Sequence, residues 1–209
     1  MDVSTSVIIS TALSVLAAFC LGACPFSVWV GRRMLNKDIR SYGDGNPGAV
    51  NVFRAGGRKT GLLAVLLDVV KGVPFVLLAY TVLKLPDTAV AVVALGAILG
   101  HAFSPLLGGH GGKAIAVTFG TMLALPQHEI LFAFVIFLLI GVFFIAANSW
   151  AVIFGATGAL AYLAITRSST WELLFMVVTL TILVIKHFDD LRTFPGVRVR
   201  LIHWIQSRR

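Results

Sequence analysis

Residues 43–59 read GDGNPGAVNVFRAGGRK, a polar and glycine-rich loop between two long apolar segments. A shorter loop of the same kind, GHGGK, occupies residues 109–113. Glycine has no Cβ, so its backbone N–H groups can approach an oxyanion closely, while Lys and Arg side chains neutralise the negative charge. Two such loops in an otherwise apolar chain predict phosphate chemistry at a membrane surface.

The composition of the chain is that of an integral membrane protein. Of its 209 residues, 58% are apolar and 12% are charged, whereas soluble domains carry about 25% charged residues. We therefore expect an all-α, polytopic membrane protein that folds as a single domain over residues 1–209. No nucleic-acid-binding module and no HExxH, CxxC, GxSxG or P-loop pattern occurs, so we expect no nucleic-acid partner and no metal site.

Seven apolar segments predict seven transmembrane helices. They cover residues 3–30, 61–83, 88–107, 114–125, 130–147, 150–165 and 171–185. A helix needs about 20 residues to cross a bilayer, so the segment 114–125 is too short to cross alone. We expect it to begin inside the membrane plane, with its N-terminus directed at a buried site. Pro25, Pro74 and Pro105 fall inside or at the ends of segments, where we expect kinks.

The distribution of Lys and Arg predicts the orientation of these helices, because cytoplasmic loops carry an excess of both. Only Lys84 and Arg167 fall in the connections on one side. Fourteen others fall on the opposite side: Arg32, Arg33, Lys37, Arg40, Arg54, Arg58, Lys59, Lys113, Lys186, Arg192, Arg198, Arg200, Arg208 and Arg209. We therefore expect the N-terminus outside the cell membrane, and both glycine-rich loops and the C-terminus in the cytoplasm.

Arg54 and Lys113 are the strongest candidates for phosphate ligands, because Arg offers a planar fork of donors and Lys a compact charge. Lys113 also opens a short predicted helix, where backbone N–H groups and the helix dipole favour an anion. The other cytoplasmic cations are explained by topology or lipid headgroups. Further backbone donors to the phosphate are expected from the loop glycines Gly45, Gly48, Gly111 and Gly112.

Several other polar residues have both a functional and a structural interpretation. Asp68 and Lys71 lie at i and i+3 on one face of the second segment. They either support the first loop, with Lys71 reaching a phosphate, or neutralise each other as a structural pair. Asn46 and Asn51 either bind substrate or stabilise a turn.

The two histidines at segment ends are similarly ambiguous. His101 either contacts an anion or is a helix-capping and packing residue. His187, beside Asp189 and Asp190, either donates a hydrogen bond or acts as a general base, or it is structural.

Four motifs give the chain a family resemblance. DIRSYGDGNPGAVNVFRAGG (residues 38–57), LLDVVKG (66–72), GHAFSP (100–105) and GGKAIA (111–116) follow one another in this order. Together they resemble the bacterial acyl-phosphate-dependent glycerol-3-phosphate acyltransferases of the PlsY type. The resemblance covers essentially the whole chain and is strongest over residues 38–120.

The resemblance implies a seven-helix enzyme with a peripheral cytoplasmic active site. Such an enzyme transfers a fatty acyl group from acyl phosphate to the 1-hydroxyl of glycerol 3-phosphate, giving lysophosphatidic acid and phosphate, the first acylation of phospholipid synthesis. It implies contact with membrane lipids and no cofactor. The residues expected to carry the site are Asp44, Asn46, Lys113 and His187 as catalytic groups; Gly45, Gly48, Asn51, Arg54, Lys71, His101, Gly111 and Gly112 at the phosphate; and Asp68 and Asp190 in support.

The chain also departs from the family's usual residues. Asp44 stands in place of a Ser, Val50 of a Thr, Ala114 of a Gly and Asp190 of an Asn. An Arg-Tyr pair usually precedes the Ser before the sixth span, whereas this chain has Ala146, Ala147 and Asn148 before Ser149. An added carboxylate and a lost Arg both weaken phosphate binding by Coulomb's law. Asp44 either compensates as a general base on the acceptor hydroxyl, or the acceptor has changed, or activity is lost.

We favour an active acyltransferase among the functions open to this chain. The alternatives are a non-catalytic relative that binds anionic lipid or acyl phosphate, and a small transporter. A transporter would favour inverted internal repeats, and no convincing repeat is visible in the sequence.

Overall fold

The computed structural model describes residues 3–166 and 169–196, and the regular elements over these residues are helices. The all-α prediction is confirmed. Five residues used to predict orientation lie outside the described part of the chain: Arg167, Arg198, Arg200, Arg208 and Arg209. The chain forms two compact units, Met1–Pro126 and Gln127–Arg209. The single domain predicted over residues 1–209 stays a prediction.

The first unit contains seven helices in its described part, several of them short. They are α1 Val3–Ala23, α2 Phe26–Leu35, α3 Ala49–Arg54, α4 Arg58–Val70, α5 Pro74–Leu77, α6 Asp87–Ala102 and α7 Ile115–Ala124. A π-helical turn, Leu78–Val82, continues α5, and 3-10 turns occupy Ile39–Ser41 and Pro105–Leu107. The second unit contains α8 His128–Phe144, α9 Asn148–Thr166 and α10 Thr170–Leu191.

Five stretches of the described chain are long and apolar enough to cross a membrane: Val3–Leu35, Arg58–Val82, Asp87–Leu107, Asn148–Thr166 and Thr170–Leu191. The other two predicted segments form shorter apolar helices, α7 with 10 residues and α8 with 17. A helix of 10 residues is about 15 Å long, half the thickness of the hydrocarbon layer. The structure thus supports a multi-pass membrane protein and gives five of the seven predicted segments the length to span.

Prolines break the apolar segments at the predicted places. The first segment is two helices rather than one, because α1 ends at Ala23 and α2 begins at Phe26, directly after Pro25. Proline lacks the N–H that a continuous helix requires. Similarly, α4 ends at Val70 and α5 begins at Pro74. Such breaks leave backbone carbonyls without helical partners, and two of these carbonyls accept bonds from side chains of the site described below.

Close helix packing fixes the position of α7 in the first unit. A Cβ on Gly120 of α7 would overlap the carbonyl of Val69 in α4, and one on Gly72 would lie 2.6 Å from the Val117 carbonyl oxygen. In α6, Gly100 meets the Phe19 carbonyl of α1 equally closely. Because only glycine permits these approaches, α7 packs closely against the end of α4, and α6 packs closely against α1.

The second unit is held by packing of α9 against α8 and α10 and by hydrogen bonds at one end. Ser149 Oγ donates to Asp190 Oδ2 at 2.5 Å, and Trp150 Nε1 donates to the Thr193 carbonyl at 2.8 Å. These bonds tie the first turn of α9 to the end of α10. Asp190, predicted to have a supporting role, therefore has a structural partner in Ser149.

Candidate active site

The first glycine-rich loop is held by ion pairs and backbone bonds at its two ends. Asp38 pairs with Arg40 at 2.6 Å and with Arg32 at 3.0 Å. Hydrogen bonds from Arg40, and then from Arg32, keep the pKa of Asp38 well below its usual range. Lys37 Nζ donates to the Ala55 carbonyl at 2.7 Å, which joins the two ends of the loop. Arg32, explained above by topology, thus also has a local role.

Glycine is required at the centre of this loop. Gly43 and Gly45 have φ values of +59° and +72°, which disfavour residues with a Cβ. A Cβ on Gly43 would overlap the Arg54 guanidinium and lie 2.5 Å from Asn51 Oδ1. The loop therefore brings Arg54 and Asn51 next to the backbone before Asp44.

The carboxylate of Asp44 is where the two glycine-rich loops meet. Lys113 Nζ donates to its Oδ2 at 2.6 Å, although the two residues are 69 apart in the chain. Asn51 Nδ2 donates to Oδ1 at 2.9 Å, and Arg54 Nη1 lies 3.5 Å from the same oxygen. The backbone N–H of Asn46 also donates to Oδ1, at 3.3 Å. The structure thus brings four of the predicted site residues around the carboxylate of a fifth.

Asn51 organises this cluster from a buried position. Its side chain is buried, its Nδ2 also donates to the Asn46 carbonyl at 2.8 Å, and its Oδ1 accepts from Arg54 Nη1 at 3.0 Å. Every polar atom of the amide therefore has a partner within the loop. These bonds account for Asn51 as a turn-stabilising residue, while substrate binding by Asn46 and Asn51 stays a prediction.

The surroundings of Asp44 favour its ionised form. Partial burial raises the pKa, but hydrogen bonds from Lys113 and Asn51 outweigh burial and lower the pKa to about 2. A carboxylate with such a pKa is a weak proton acceptor near neutral pH, because efficient general bases have a pKa near the working pH. The geometry therefore favours Asp44 as an ion-pair partner, and its role as a general base stays a prediction.

The second glycine-rich loop lies against the end of α6. The N–H of Gly112 donates to the His101 carbonyl at 3.1 Å, and a Cβ on Gly112 would overlap the His101 imidazole. A Cβ on Gly111 would overlap the same carbonyl. His101 thus packs under this loop, as the structural interpretation expects. The N–H of Gly112, and that of Gly45, which donates to the Tyr42 carbonyl at 3.1 Å, are engaged in backbone bonds.

Ala114 is strained by its position between Lys113 and α7. It has a φ of +62°, in the left-handed region, and its side chain is buried. This conformation costs a residue with a Cβ about 1–2 kcal/mol. We predict that Ala114→Gly raises the free energy of unfolding by about 1 kcal/mol. Thermal unfolding in detergent measures the change; a lower melting temperature for the variant would show that packing of the Ala114 methyl group outweighs the strain.

A second, buried polar cluster lies beneath both loops. Lys71 Nζ is 2.8 Å from Asp68 Oδ1 and donates to the Cys24 carbonyl at 2.8 Å. Ser27 Oγ donates to Asp68 Oδ2 at 2.6 Å, and His101 Nδ1 lies 3.8 Å from Asp68 Oδ1. Both charged side chains are almost fully buried. The structural pairing of Asp68 with Lys71 is thus present, and contact between Lys71 and a phosphate stays a prediction.

This buried cluster connects the helix breaks to the loops. Ser104 Oγ donates to the Ala23 carbonyl at 2.5 Å, so the Ala23 and Cys24 carbonyls just before Pro25 each accept a bond from a side chain of this cluster. A small cavity is lined by Asp68, Lys71 and His101 together with Pro47 of the first loop and Gly112 of the second. Asp68 therefore lines the same cavity as Pro47 of the first loop, and its role in supporting that loop stays a prediction. The sequence-based prediction missed Ser27 and Ser104, although each lies within two residues of a proline, Pro25 or Pro105, at the break of an apolar segment.

His187 and Asp190 belong to the second compact unit. His187 is buried in α10, where its Nδ1 lies 2.8 Å from the Leu183 carbonyl one turn earlier. Asp190 accepts from Ser149, as described above. The roles predicted for His187 in catalysis and for Asp190 in support stay predictions. No group of three or more His, Cys, Asp or Glu side chains suited to a metal occurs within residues 3–166 and 169–196.

Comparison with known proteins gives consistent similarities. The family model described as "Glycerol-3-phosphate acyltransferase" matches residues 12–194. Among proteins named glycerol-3-phosphate acyltransferase, one from Neisseria gonorrhoeae (strain NCCP11945) is 35% identical over 175 residues, covering 82% of this chain and 86% of the relative. One from Streptococcus equi subsp. zooepidemicus (strain MGCS10565) is 31% identical over 201 residues, covering 92% of each chain.

Two solved structures share the fold. One is PlsY (YgiH), an integral membrane glycerol 3-phosphate acyltransferase, in its glycerol 3-phosphate form. It aligns with a TM-score of 0.77 and 26% identity over 92% of this chain and 98% of its own. The lysophosphatidic acid form of PlsY aligns with a TM-score of 0.75 and 27% identity over 88% of this chain and 90% of its own.

Proposed function

The chain belongs to the PlsY-type glycerol-3-phosphate acyltransferase family, and on that premise we propose that it moves a fatty acyl group from acyl phosphate to the 1-hydroxyl of glycerol 3-phosphate. It is an acyltransferase of phospholipid synthesis that acts on glycerol 3-phosphate. In the proposed reaction the 1-hydroxyl oxygen bonds to the acyl carbon and the bond from that carbon to the phosphate oxygen breaks. The products are lysophosphatidic acid and inorganic phosphate, which takes up the hydroxyl proton.

The observation that carries this proposal is the convergence of Lys113 and Arg54 at the meeting point of the two loops. Their cationic atoms lie 2.6 and 3.5 Å from one carboxylate, which is the geometry expected around an oxyanion. Positioned cations stabilise the negative charge on a phosphate, both when it is bound and when it departs. We assign Lys113 and Arg54 to substrate phosphate, Asn51 to positioning Arg54, and the Asp68–Lys71 pair to supporting the loops.

The other predicted residues keep their candidate roles in this proposal. Asn46 remains a candidate substrate contact, and His187 remains a candidate proton donor or acceptor. The glycines of both loops allow the close backbone approach on which the site depends. The glycerol 3-phosphate and lysophosphatidic acid forms of PlsY support glycerol 3-phosphate as the acceptor and lysophosphatidic acid as the product of this family member.

We also propose seven membrane crossings, with the N-terminus outside and both loops in the cytoplasm. The charge asymmetry supports this topology, and the N-terminal half of the 17-residue helix α8 reads HEILFAFV, apolar after its first two residues. The length of α8 falls at the lower limit of about 17 residues for a crossing helix. The helix α7 has 10 residues and is too short to cross alone. In this proposal, α7 and the loop before it cross the membrane together.

Cysteine labelling tests this topology. In a Cys20→Ala, Cys24→Ala background, a membrane-impermeant maleimide should label Ser169→Cys in intact cells and Ser41→Cys only after permeabilisation. Ser41 is exposed next to the first loop, and Ser169 lies between α9 and α10. The reverse labelling pattern would contradict both the topology and the cytoplasmic site.

Reconstitution tests the proposed reaction. The purified protein should convert acyl phosphate and labelled glycerol 3-phosphate into equal amounts of lysophosphatidic acid and inorganic phosphate. Acyl-CoA in place of acyl phosphate serves as the donor control and should give no product. Phosphate release without lysophosphatidic acid would indicate another acceptor. The absence of both products would contradict the proposal and favour a non-catalytic binding protein.

A further inference from the structure

The cations of the proposed phosphate site are occupied by a side chain of the protein itself. Asp44 accepts a hydrogen bond from Lys113 Nζ at 2.6 Å and lies 3.5 Å from Arg54 Nη1. A carboxylate oxygen and a phosphate oxygen carry similar charge and accept bonds from the same donors. The carboxylate therefore stands where a phosphate oxygen would be bound by the same two residues.

We propose that Asp44 is an internal anion that competes with the substrate's phosphate group for Lys113 and Arg54, and thereby limits the affinity of the site for phosphomonoesters. The inference rests on the proposed function for the identity of the ligand. It assigns Asp44 to setting the affinity of the phosphate site, in place of proton transfer.

The charge balance of the cluster explains why competition follows. Lys113 and Arg54 together carry two positive charges, and Asp44 cancels one of them. A phosphomonoester has a charge near −2 at neutral pH. To bind, it must displace the Asp44 carboxylate from Lys113 and then remain close to that displaced carboxylate. Both steps weaken binding, since unit charges about 4 Å apart repel by an appreciable energy even in a partly solvated site.

Two further observations support the competition. The pKa of Asp44, lowered to about 2, keeps the carboxylate ionised throughout the pH range of a working enzyme, so protonation does not relieve the competition. Asn51 Nδ2 and the Asn46 N–H also bind the carboxylate. These two donors hold Asp44 in the loop after Lys113 leaves it, so the competing charge stays beside the site.

Equilibrium binding tests the inference without reference to catalysis. Glycerol 3-phosphate and inorganic phosphate are titrated by calorimetry into the detergent-solubilised native protein and into Asp44→Asn and Asp44→Ser. The Asn variant keeps a side-chain oxygen for the turn, and the Ser variant provides a second test if the Asn variant folds poorly. We expect both ligands to bind about tenfold more tightly to the variants. The expected gain in affinity is no larger than this because water screens the charge of the partly exposed Asp44 carboxylate.

Asp38→Asn is the matched control. Asp38 is a carboxylate of similar exposure, 33% against 36% for Asp44, near the same loop, but it pairs with Arg32 and Arg40. This variant removes the same net charge without freeing Lys113, and we expect its affinity to change by less than about threefold, the scale of screened surface electrostatics.

The outcomes separate this inference from the proposed function. Tighter binding to the Asp44 variants supports competition even if the native protein makes no lysophosphatidic acid. Unchanged or weaker binding overturns the inference even if the native protein is active, and so does an equal gain in Asp38→Asn. In an active protein, competition also predicts a lower KM for glycerol 3-phosphate in Asp44→Asn. A loss of kcat with unchanged binding would instead identify Asp44 as a general base.

Discussion

Lys113→Ala lowers turnover by at least about 100-fold, the scale of losing one strong electrostatic stabiliser from an active site. Lys113 is the cation that links the second loop to the first, through its bond of 2.6 Å to Asp44. Without it, Arg54 is the only one left of the two cations that we assign to the substrate phosphate. The measurement is kcat for lysophosphatidic acid formation with saturating acyl phosphate.

The fold should survive this substitution, because the Lys113 side chain is 23% exposed and lies at a loop. The melting temperature in detergent checks this point. Lys59→Ala, which removes an exposed cation from the start of α4, is the matched control and should retain most activity. Lys113→Arg keeps the charge and should recover part of the loss. Near-native turnover of Lys113→Ala would assign the Gly-Gly-Lys loop a structural role only.

Asp68→Asn lowers the free energy of unfolding by roughly 3–5 kcal/mol, as expected when one partner of a buried ion pair is removed. The substitution leaves the Lys71 ammonium buried beside a neutral amide, while both side chains in the native protein are no more than 3% exposed. The loss should appear as a large fall in melting temperature in detergent. Because the cluster lies beneath both loops, activity should fall in the same variant.

Two comparisons make this prediction specific. The double variant Asp68→Asn, Lys71→Met removes both charges and should be more stable than Asp68→Asn alone, since no unpaired charge remains. Asp189→Asn removes a carboxylate from another i,i+3 pair, with Arg192, but Asp189 is 94% exposed. Such surface pairs contribute at most about 1 kcal/mol. A loss in Asp68→Asn no greater than that in Asp189→Asn would refute a structural role for the buried pair.

The features of this fold that depend only on residues close together in the chain were predictable from the sequence. The apolar segments predicted the helices, because burial in a membrane requires long apolar runs. Prolines predicted the breaks after α1 and α4, because proline cannot supply the helical N–H. The pair Asp68 and Lys71 was predictable as well, since residues three apart share a helix face. Glycine and lysine spacing identified the two loops of the site.

The bonds between distant segments were decided by the tertiary structure alone. Nothing near Asp44 in the chain indicates that Lys113, 69 residues later, is its partner. That contact exists because Gly72 and Gly120 let α4 and α7 approach closely, which positions the loop before α7 beside the first loop. Likewise, Ser27 and Ser104 become site residues only because packing brings them to Asp68 and the Ala23 carbonyl. Local sequence determined which groups can bind phosphate, whereas helix packing determined that one of these groups, Lys113, is already paired with the carboxylate of Asp44.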